Sequence, residues 1–150
     1  MADGEVVAKM LAAARAAMAK AYAPYSNFPV GAALLAANGK IYAGCNVENA
    51  AYPQGSCAET SAISAMIADG EREIRAALVV GQAAALIAPC GGCRQRLNEF
   101  ARPDTPVHLS GPKGVERTVT LGELLPFALD RKSTRLNSSH SGESRMPSSA

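Results

Sequence analysis

The chain has 150 residues, of which 48% are apolar and 19% are charged, and its mean hydropathy is +0.01. These values predict a soluble globular protein with a single core. No apolar run approaches the roughly 18 residues that span a bilayer, and the Met1 region lacks a signal-peptide pattern, so we expect a cytoplasmic protein without a membrane partner. Residues 1–129 carry 11 basic and 11 acidic side chains. This balance argues against a nucleic-acid partner and favours a small neutral substrate.

The first third of the chain predicts a helix followed by a β-hairpin. Helix-forming residues with apolar side chains at helical spacing extend over about residues 4–21. Pro24 ends this pattern, because the residue before a proline avoids helical geometry. Two β-like runs follow, over 30–36 and 40–45, and Asn38-Gly39 between them is a strong hairpin signal. Gly31 and Gly44 within these strands indicate close packing against neighbouring elements.

The rest of the ordered pattern alternates helices and strands. A polar loop over 46–56 leads to a helix that begins at Cys57 and ends before Gly70, and an apolar strand is predicted over 74–80. A second helix is predicted from near Cys90 to Phe100, followed by strands over 107–109 and 117–120. The connector of these two strands is too short for a parallel crossover, so we expect them to be antiparallel. This order predicts an α/β fold with three α-β-α layers and a mixed five-stranded sheet.

The chain divides at residue 129. Residues 1–129 are predicted to form the single domain, whereas residues 130–150 are rich in Ser and Arg and show no periodicity. Such a segment buries too little apolar surface to offset its ordering entropy. We therefore predict a disordered, non-native tail over 130–150.

Three cysteines and one glutamate carry the chemical signal. Cysteines in a cytosolic protein are thiols or metal ligands rather than disulfides. Cys57, Cys90 and Cys93 can together hold a zinc ion and leave its fourth position open, and Glu59 can lie beside that position. The alternative is a structural zinc site or inert thiols. A structural site requires a fourth protein ligand, and the candidates Cys45 and His108 do not belong to a second close pair. This pattern favours a catalytic zinc.

The same residues resemble a known family. Cys57-Ala58-Glu59 together with Pro89-Cys90-Gly91-Gly92-Cys93-Arg94-Gln95 resembles the signature of cytidine deaminases. The stretches 25–34, 44–52 and 124–126 are also similar to the small homotetrameric form of that family, and the resemblance covers about residues 5–127. It implies one zinc ion per subunit, bound by Cys57, Cys90 and Cys93.

The resemblance also implies an activity in pyrimidine salvage. The zinc-dependent enzyme would deaminate cytidine and deoxycytidine to uridine and deoxyuridine with release of ammonia. Hydroxide formed at the metal would attack C4 of the base, and Glu59 would shuttle the protons. Two alternatives remain open at this point. One is a related zinc deaminase of another cytosine nucleoside, such as blasticidin S, and the other is a non-catalytic zinc-stabilised binding module.

The remaining site residues are assigned by resemblance. The backbone N–H of Ala58 would bond O2 of the base, and Phe28 would pack on the nucleoside. Asn46 and Glu48 would hold the ribose hydroxyls, which their spacing supports, because residues two apart in an extended segment point to the same side. In the homotetramer, Ala50 and Tyr52 would reach into a neighbouring subunit's site.

The chain departs from the family pattern at two positions. Many members carry an arginine after Cys-Ala-Glu that hydrogen-bonds the zinc thiolates, whereas this chain has Thr60, so we expect a more electron-rich metal site. The family also places a phenylalanine three residues after Leu-Leu-Pro to stack on the base bound by a neighbour. Leu129 occupies that position here, and Phe127 lies two residues earlier. We therefore expect weaker base stacking and a C-terminus that has been replaced near residue 129.

Overall fold

The computed structural model describes residues 3–82 and 86–129, and it contains helices on both faces of one sheet. The helices of this part are α1 (Asp3–Met18), α2 (Ala58–Ala68), α3 (Gly91–Phe100) and α4 (Leu121–Leu124), with a short 3-10 helix at Tyr52–Gln54. The strands are β1 (Val30–Ala36), β2 (Ile41–Cys45), β3 (Ile74–Gly81), β4 (Pro106–Gly111) and β5 (Gly114–Thr120). The predicted tail over 130–150 lies outside the described residues.

The sheet is mixed and five-stranded, as the sequence predicted. Its strand order is β2-β1-β3-β4-β5. The pair of β3 with β4 is parallel, and the other neighbouring pairs are antiparallel. A parallel pair needs a crossover connection, and α3 lies in the connection between β3 and β4. The predicted fold class and the antiparallel pairing of the last two strands are confirmed.

Each face of the sheet carries its own apolar cluster. On one face Met10 and Ala14 of α1 pack against Leu78 and Val80 of β3. On the other face α2 and α3 contribute to a larger cluster that also contains buried residues of the strands β1, β3 and β4. Its helix residues include Ala62, Ile63, Met66 and Leu97, and its strand residues include Ala32, Leu34, Ile74, Ala77, Val107 and Leu109. Both helices that carry the cysteines therefore lie on the same side of the sheet.

The hairpin between β1 and β2 has a different turn from the one that Asn-Gly suggests. Gly39 has a positive φ of 85°, whereas the φ of Asn38 is not positive. The Asn38 side chain instead accepts a hydrogen bond from the Lys40 backbone N–H at 2.9 Å. The hairpin is confirmed, but its turn uses one left-handed residue rather than two, because the asparagine side chain closes the turn locally.

Two short elements were not predicted from the sequence. The 3-10 helix at Tyr52–Gln54 carries Pro53 in its first turn. Helix α4 begins with a capping box, in which Thr120 accepts from the Glu123 N–H and Glu123 accepts from the Thr120 N–H. None of the helices in the described ranges is long and apolar enough to cross a membrane.

Candidate metal centre and substrate cavity

The three predicted zinc ligands come together at the starts of two helices. Cys57 is the N-cap residue of α2, Cys90 is the N-cap residue of α3, and Cys93 lies in the first turn of α3. Their Sγ atoms all lie within 4.8 Å of one another. The unpaired backbone N–H groups and the positive dipole ends of both helices favour negative charge at this point.

The spacing of the sulfur atoms fits a zinc ion. Sγ of Cys57 lies 3.8 Å from Sγ of Cys90. A tetrahedral zinc ion with bonds of about 2.3 Å to sulfur requires sulfur atoms about 3.8 Å apart. Cys93 is buried, Cys57 is half-buried and Cys90 is exposed, so the group is accessible from one side. The donor set therefore fits zinc with an open fourth position.

The candidates for a fourth protein ligand do not join the cluster. Across residues 3–82 and 86–129, the group that could hold a metal contains Cys57, Cys90 and Cys93. His108 lies on β4, and its Nδ1 is 2.8 Å from Oγ1 of Thr118 on β5. Cys45 lies at the end of β2, where its backbone carbonyl accepts a hydrogen bond from the Ser61 hydroxyl. This arrangement favours the open, catalytic type of site over the closed, structural type.

The thiols influence one another strongly. Burial raises the pKa of the Cys93 thiol, and the negative charges of Glu59 and Cys57 raise it further. Burial also raises the pKa of Cys57. At Cys90 burial opposes ionisation, but hydrogen bonds from the Cys93 N–H and from neighbouring thiols outweigh it, so the pKa of Cys90 is lowered. Three thiolates at this distance repel one another, and a divalent cation would hold all three deprotonated.

Glu59 lies in the first turn of α2 with only 4% of its surface exposed. Burial raises the pKa of its carboxyl group. Hydrogen bonds from the Glu59 N–H and the Cys93 thiol oppose part of this rise. A buried carboxyl with a raised pKa can both accept and donate a proton near neutral pH. The structure thus places a buried carboxyl group with a raised pKa beside Cys93 of the sulfur cluster.

A cavity of about 700 Å³ opens beside the sulfur cluster. Its volume lies in the range of sites for small molecules. The cavity is lined by four of the residues predicted to contact substrate, Asn46, Glu48, Ala50 and Tyr52, and by the predicted zinc ligand Cys57. Phe28, Ala58 and Glu59 do not line this cavity. The ring of Phe28 lies near Gly81 at the end of β3, and Ala58 is buried at the start of α2.

Asn46 is fixed by the segment that leads into β1. Its Oδ1 accepts a hydrogen bond from the Val30 N–H at 2.9 Å, and its Nδ2 donates to the Phe28 carbonyl at 3.0 Å. An amide side chain has two donor hydrogens and two acceptor lone pairs. Asn46 therefore keeps one donor and one acceptor position for a ligand while the chain holds its orientation.

Glu48 is fixed in a similar way. Its carboxylate accepts hydrogen bonds from the Tyr25 N–H at 2.9 Å, from the Ser26 N–H at 3.1 Å and from the Ser26 hydroxyl. The hydroxyl bond, followed by the two backbone bonds, lowers the pKa of Glu48 and outweighs its desolvation. An ionised carboxylate accepts about four hydrogen bonds. One acceptor position is thus left for a hydroxyl group of a ligand.

Two residues at the site were missed from the sequence. Ser26 contacts Glu48 from 22 positions away, and no local pattern marks such a contact. Arg96 lines the cavity, and its Nη1 lies 4.0 Å from Sγ of Cys93. A signal for Arg96 did exist, because residues three apart share one face of a helix. Thr60, noted for its departure from the family pattern, places Oγ1 3.9 Å from the same sulfur atom.

Comparisons with known proteins agree with this geometry. A family model described as the cytidine and deoxycytidylate deaminase zinc-binding region matches residues 5–109. A cytidine deaminase of Sporosarcina psychrophila is 44% identical over 126 residues, which cover 84% of this chain and 93% of that protein. A cytidine deaminase of Halalkalibacterium halodurans is 43% identical over 72% of this chain and 82% of that protein. The crystal structure of a cytidine deaminase from Burkholderia pseudomallei superposes with a TM-score of 0.77 at 45% identity, covering 86% of this chain and all of that one.

Proposed function

The chain belongs to the cytidine deaminase family, a family of zinc-binding enzymes, and from this membership we propose that it deaminates cytidine and deoxycytidine. The products would be uridine, deoxyuridine and ammonia, as in pyrimidine salvage in the cytoplasm. One observation carries the proposal: a buried carboxyl group, Glu59, lies against three thiols whose spacing fits zinc. Residues 1–129 would form the deaminase domain.

Cys57, Cys90 and Cys93 would hold the metal. A zinc ion bound there supplies Lewis-acid chemistry, because it lowers the pKa of a water ligand to near neutrality. The helix dipoles at the starts of α2 and α3 would favour the negative charge of the three thiolates. The cluster remains accessible on the side of Cys90, and this opening would admit the reacting water and the base.

Glu59 would move the protons of the reaction. It takes a proton from the attacking water and gives it to ring N3 of the base. It then carries the second proton of that water to the amino group on C4. The new C4–O bond forms, the C4–N bond breaks, and ammonia leaves, so water and cytidine are converted to uridine and ammonia. A carboxyl group can serve in both directions when its pKa lies near the working pH, which the burial of Glu59 favours.

The nucleoside would be held by Asn46 and Glu48, which line the cavity, and by Ala58 and Phe28, which lie outside its lining. The backbone N–H of Ala58, at the start of α2, has no partner within its own helix and would donate to O2 of the base. The free hydrogen-bonding positions of Asn46 and Glu48 would bind ribose hydroxyls. Phe28, held by hydrogen bonds at both its N–H and its carbonyl, would pack on the nucleoside.

Exposed aromatic residues, two of which line the cavity, support an oligomer with shared sites. Tyr52 is 90% exposed and Phe127 is fully exposed, and Tyr22 and Tyr25 are also exposed. Large apolar side chains are rarely left in water in groups unless another surface covers them. We infer a homotetramer in which Ala50 and Tyr52 of one subunit complete the site of a neighbour.

Glu59→Gln tests the activity directly. Loss of the proton carrier should reduce the rate of cytidine deamination by at least about 100-fold, since general acid–base groups contribute about 10²–10⁴-fold. The rate would be followed by the absorbance of cytidine in proteins of equal zinc content. Glu99→Gln, at an exposed position on α3, is the matched control. Equal measurable rates in wild-type and Glu59→Gln protein would exclude Glu59 as the proton carrier, and no deamination by the wild type would leave a zinc-stabilised binding module.

A further inference from the structure

The sulfur cluster would carry excess negative charge when it holds its metal. Three thiolates and one divalent zinc ion sum to a net charge of −1, and Glu59, when ionised, adds another beside the buried Cys93. Charge removed from water is costly unless a partner of opposite sign is close. The site therefore needs a cation or strong hydrogen-bond donors at the sulfur atoms.

Arg96 is placed to supply that cation. Its Nη1 donates toward Sγ of Cys93 over 4.0 Å. Cys93 and Arg96 are one turn apart on α3, and long helical side chains lean back toward the helix N-terminus, so the guanidinium lies over the first turn. The guanidinium also passes close to Gly92, where a Cβ would lie 3.5 Å from Arg96 Nη1, an ordinary van der Waals distance.

The neighbouring arginine does not share this role. Arg94 directs its Nε to the Pro89 carbonyl at 2.8 Å and its Nη1 to the Leu124 carbonyl at 2.9 Å. These bonds connect α3 to the loop before it and to α4. Among the basic residues that the structure describes, Arg96 is thus the one whose side chain donates a hydrogen bond to one of the three sulfur atoms.

Thr60 approaches the same sulfur from the other helix. Its Oγ1 lies 3.9 Å from Sγ of Cys93, so this thiolate faces a neutral donor from α2 and a charged donor from α3.

We propose that Arg96 is a positioning residue: from α3 it offsets the negative charge of the zinc–thiolate cluster. Thr60, which approaches the cluster from α2, supplies only a neutral donor. The contact strengthens zinc retention through Cys93. Hydrogen-bond partners of metal ligands typically change metal affinity by about 10–100-fold. The inference rests on the zinc site and not on the identity of the nucleoside, so it can fail while the proposed activity stands.

Zinc affinity provides the test, and it requires no substrate. Zinc-loaded wild-type, Arg96→Gln, Arg96→Lys and Arg102→Gln proteins would compete for zinc with a chromogenic chelator of known affinity. Arg102→Gln removes the same charge from an exposed ion pair with Asp104 and is the matched control. We expect Arg96→Gln to bind zinc about 10–100-fold more weakly. Arg96→Lys should stay nearer to the wild type, and Arg102→Gln should equal it.

Three outcomes would overturn the proposal. The first is wild-type zinc affinity in Arg96→Gln, and the second is an equal loss in Arg102→Gln. The third is a loss in Arg96→Lys as large as that in Arg96→Gln, which would indicate a packing role rather than a charge. A double variant tests whether a cation on α2 can take the place of the cation on α3. Thr60→Arg in the Arg96→Gln background should regain zinc affinity. No gain there would contradict the claim that Arg96 replaces a cation at position 60.

Discussion

At the scale of single residues, the site depends on side chains that are held before any ligand binds. Asn46 and Glu48 each make hydrogen bonds to the segment that leads into β1, and each keeps free positions for a ligand. A polar group whose orientation is already fixed loses less entropy on binding. The residues proposed to hold the ribose are therefore also the residues that hold the loop containing Ser26 and Phe28.

Ser26→Ala tests this coupling. The substitution removes the hydroxyl that donates to Glu48 and accepts from the Phe28 N–H. Without this hydroxyl, one oxygen of the Glu48 carboxylate loses the partner that orients it, so we expect KM for cytidine to rise by about tenfold, with a smaller effect on kcat. Steady-state kinetics would measure both constants.

The control for Ser26→Ala is Ser64→Ala, at an exposed position of α2. If KM were unchanged in Ser26→Ala, Glu48 would not need its loop partners to bind the nucleoside. A fall confined to kcat would also contradict the prediction, because it would place the effect on the chemical step.

At the scale of elements, close contacts between helices and strands set the position of the site. Gly44 of β2 faces the backbone of α2, where a Cβ would lie 2.5 Å from the Ala62 N and 2.7 Å from the Ala58 carbonyl oxygen. Gly31 of β1 meets the backbone of α1 at Ala14 in the same way. The expected close packing at both glycines is confirmed. The contact at Gly44 matters for function because α2 carries Cys57 and Glu59.

Gly44→Ala should therefore disturb both stability and metal binding. Overpacking costs about 1–3 kcal/mol, and here the clash is with backbone rather than with a flexible side chain. We expect Tm to fall by about 5–10 °C and zinc to be held less tightly, because α2 must move away from β2. Thermal unfolding of the zinc-loaded protein would show the first effect, and zinc competition the second.

Gly4→Ala serves as the comparison, since a Cβ there meets no atom within 4 Å. It should leave both values close to those of the wild type. A Gly44→Ala protein with wild-type Tm would show that α2 is not held at the distance that the structure gives.

At the scale of the whole molecule, the end of the described chain lies close to α3. The backbone carbonyl of Leu129 accepts hydrogen bonds from Gln95 Nε2 at 3.2 Å and from Asn98 Nδ2 at 3.1 Å, while 40% of the residue stays exposed. The exposed Phe127 has a positive φ of 53°. In the proposed homotetramer, side chains from this end of one subunit would reach the base bound by another.

Leu129→Phe tests that arrangement. An aromatic ring that stacks on a base contributes about 1–3 kcal/mol, so we expect KM for cytidine to fall by about fivefold or more. Kinetics would be compared with sedimentation of the same protein, which should show a tetramer. Leu129→Met is the control, because it keeps an aliphatic side chain of similar volume. An unchanged KM in a tetrameric Leu129→Phe protein would mean that this position does not reach a bound base.

Local patterns in the sequence determined the order of the elements and the metal-binding residues. The helix starts at Cys57 and Cys90, the five strands and the mixed sheet were predicted from periodicity, turn residues and connection lengths, and the three cysteines form the cluster that their spacing suggested. The predicted roles of Phe28, Ala58 and the exposed loop residues stay predictions. The helices and strands could be anticipated because each depends on residues that are close in the chain, whereas the cluster, in which Cys57 and Cys90 lie 33 positions apart, was anticipated from the metal-binding chemistry of its residue types.

Only the tertiary structure decided which groups surround those ligands. The pairing of β1 with β3 and the crossover through α3 bring two helix starts to one place on one face of the sheet. That arrangement places Thr60 and Arg96 at the same sulfur atom and the Ser26 loop at Glu48. Contacts between residues 22 to 33 positions apart depend on strand pairing and helix packing, which short-range periodicity does not encode. The ligands could therefore be predicted from the sequence, whereas the charge balance around them could not.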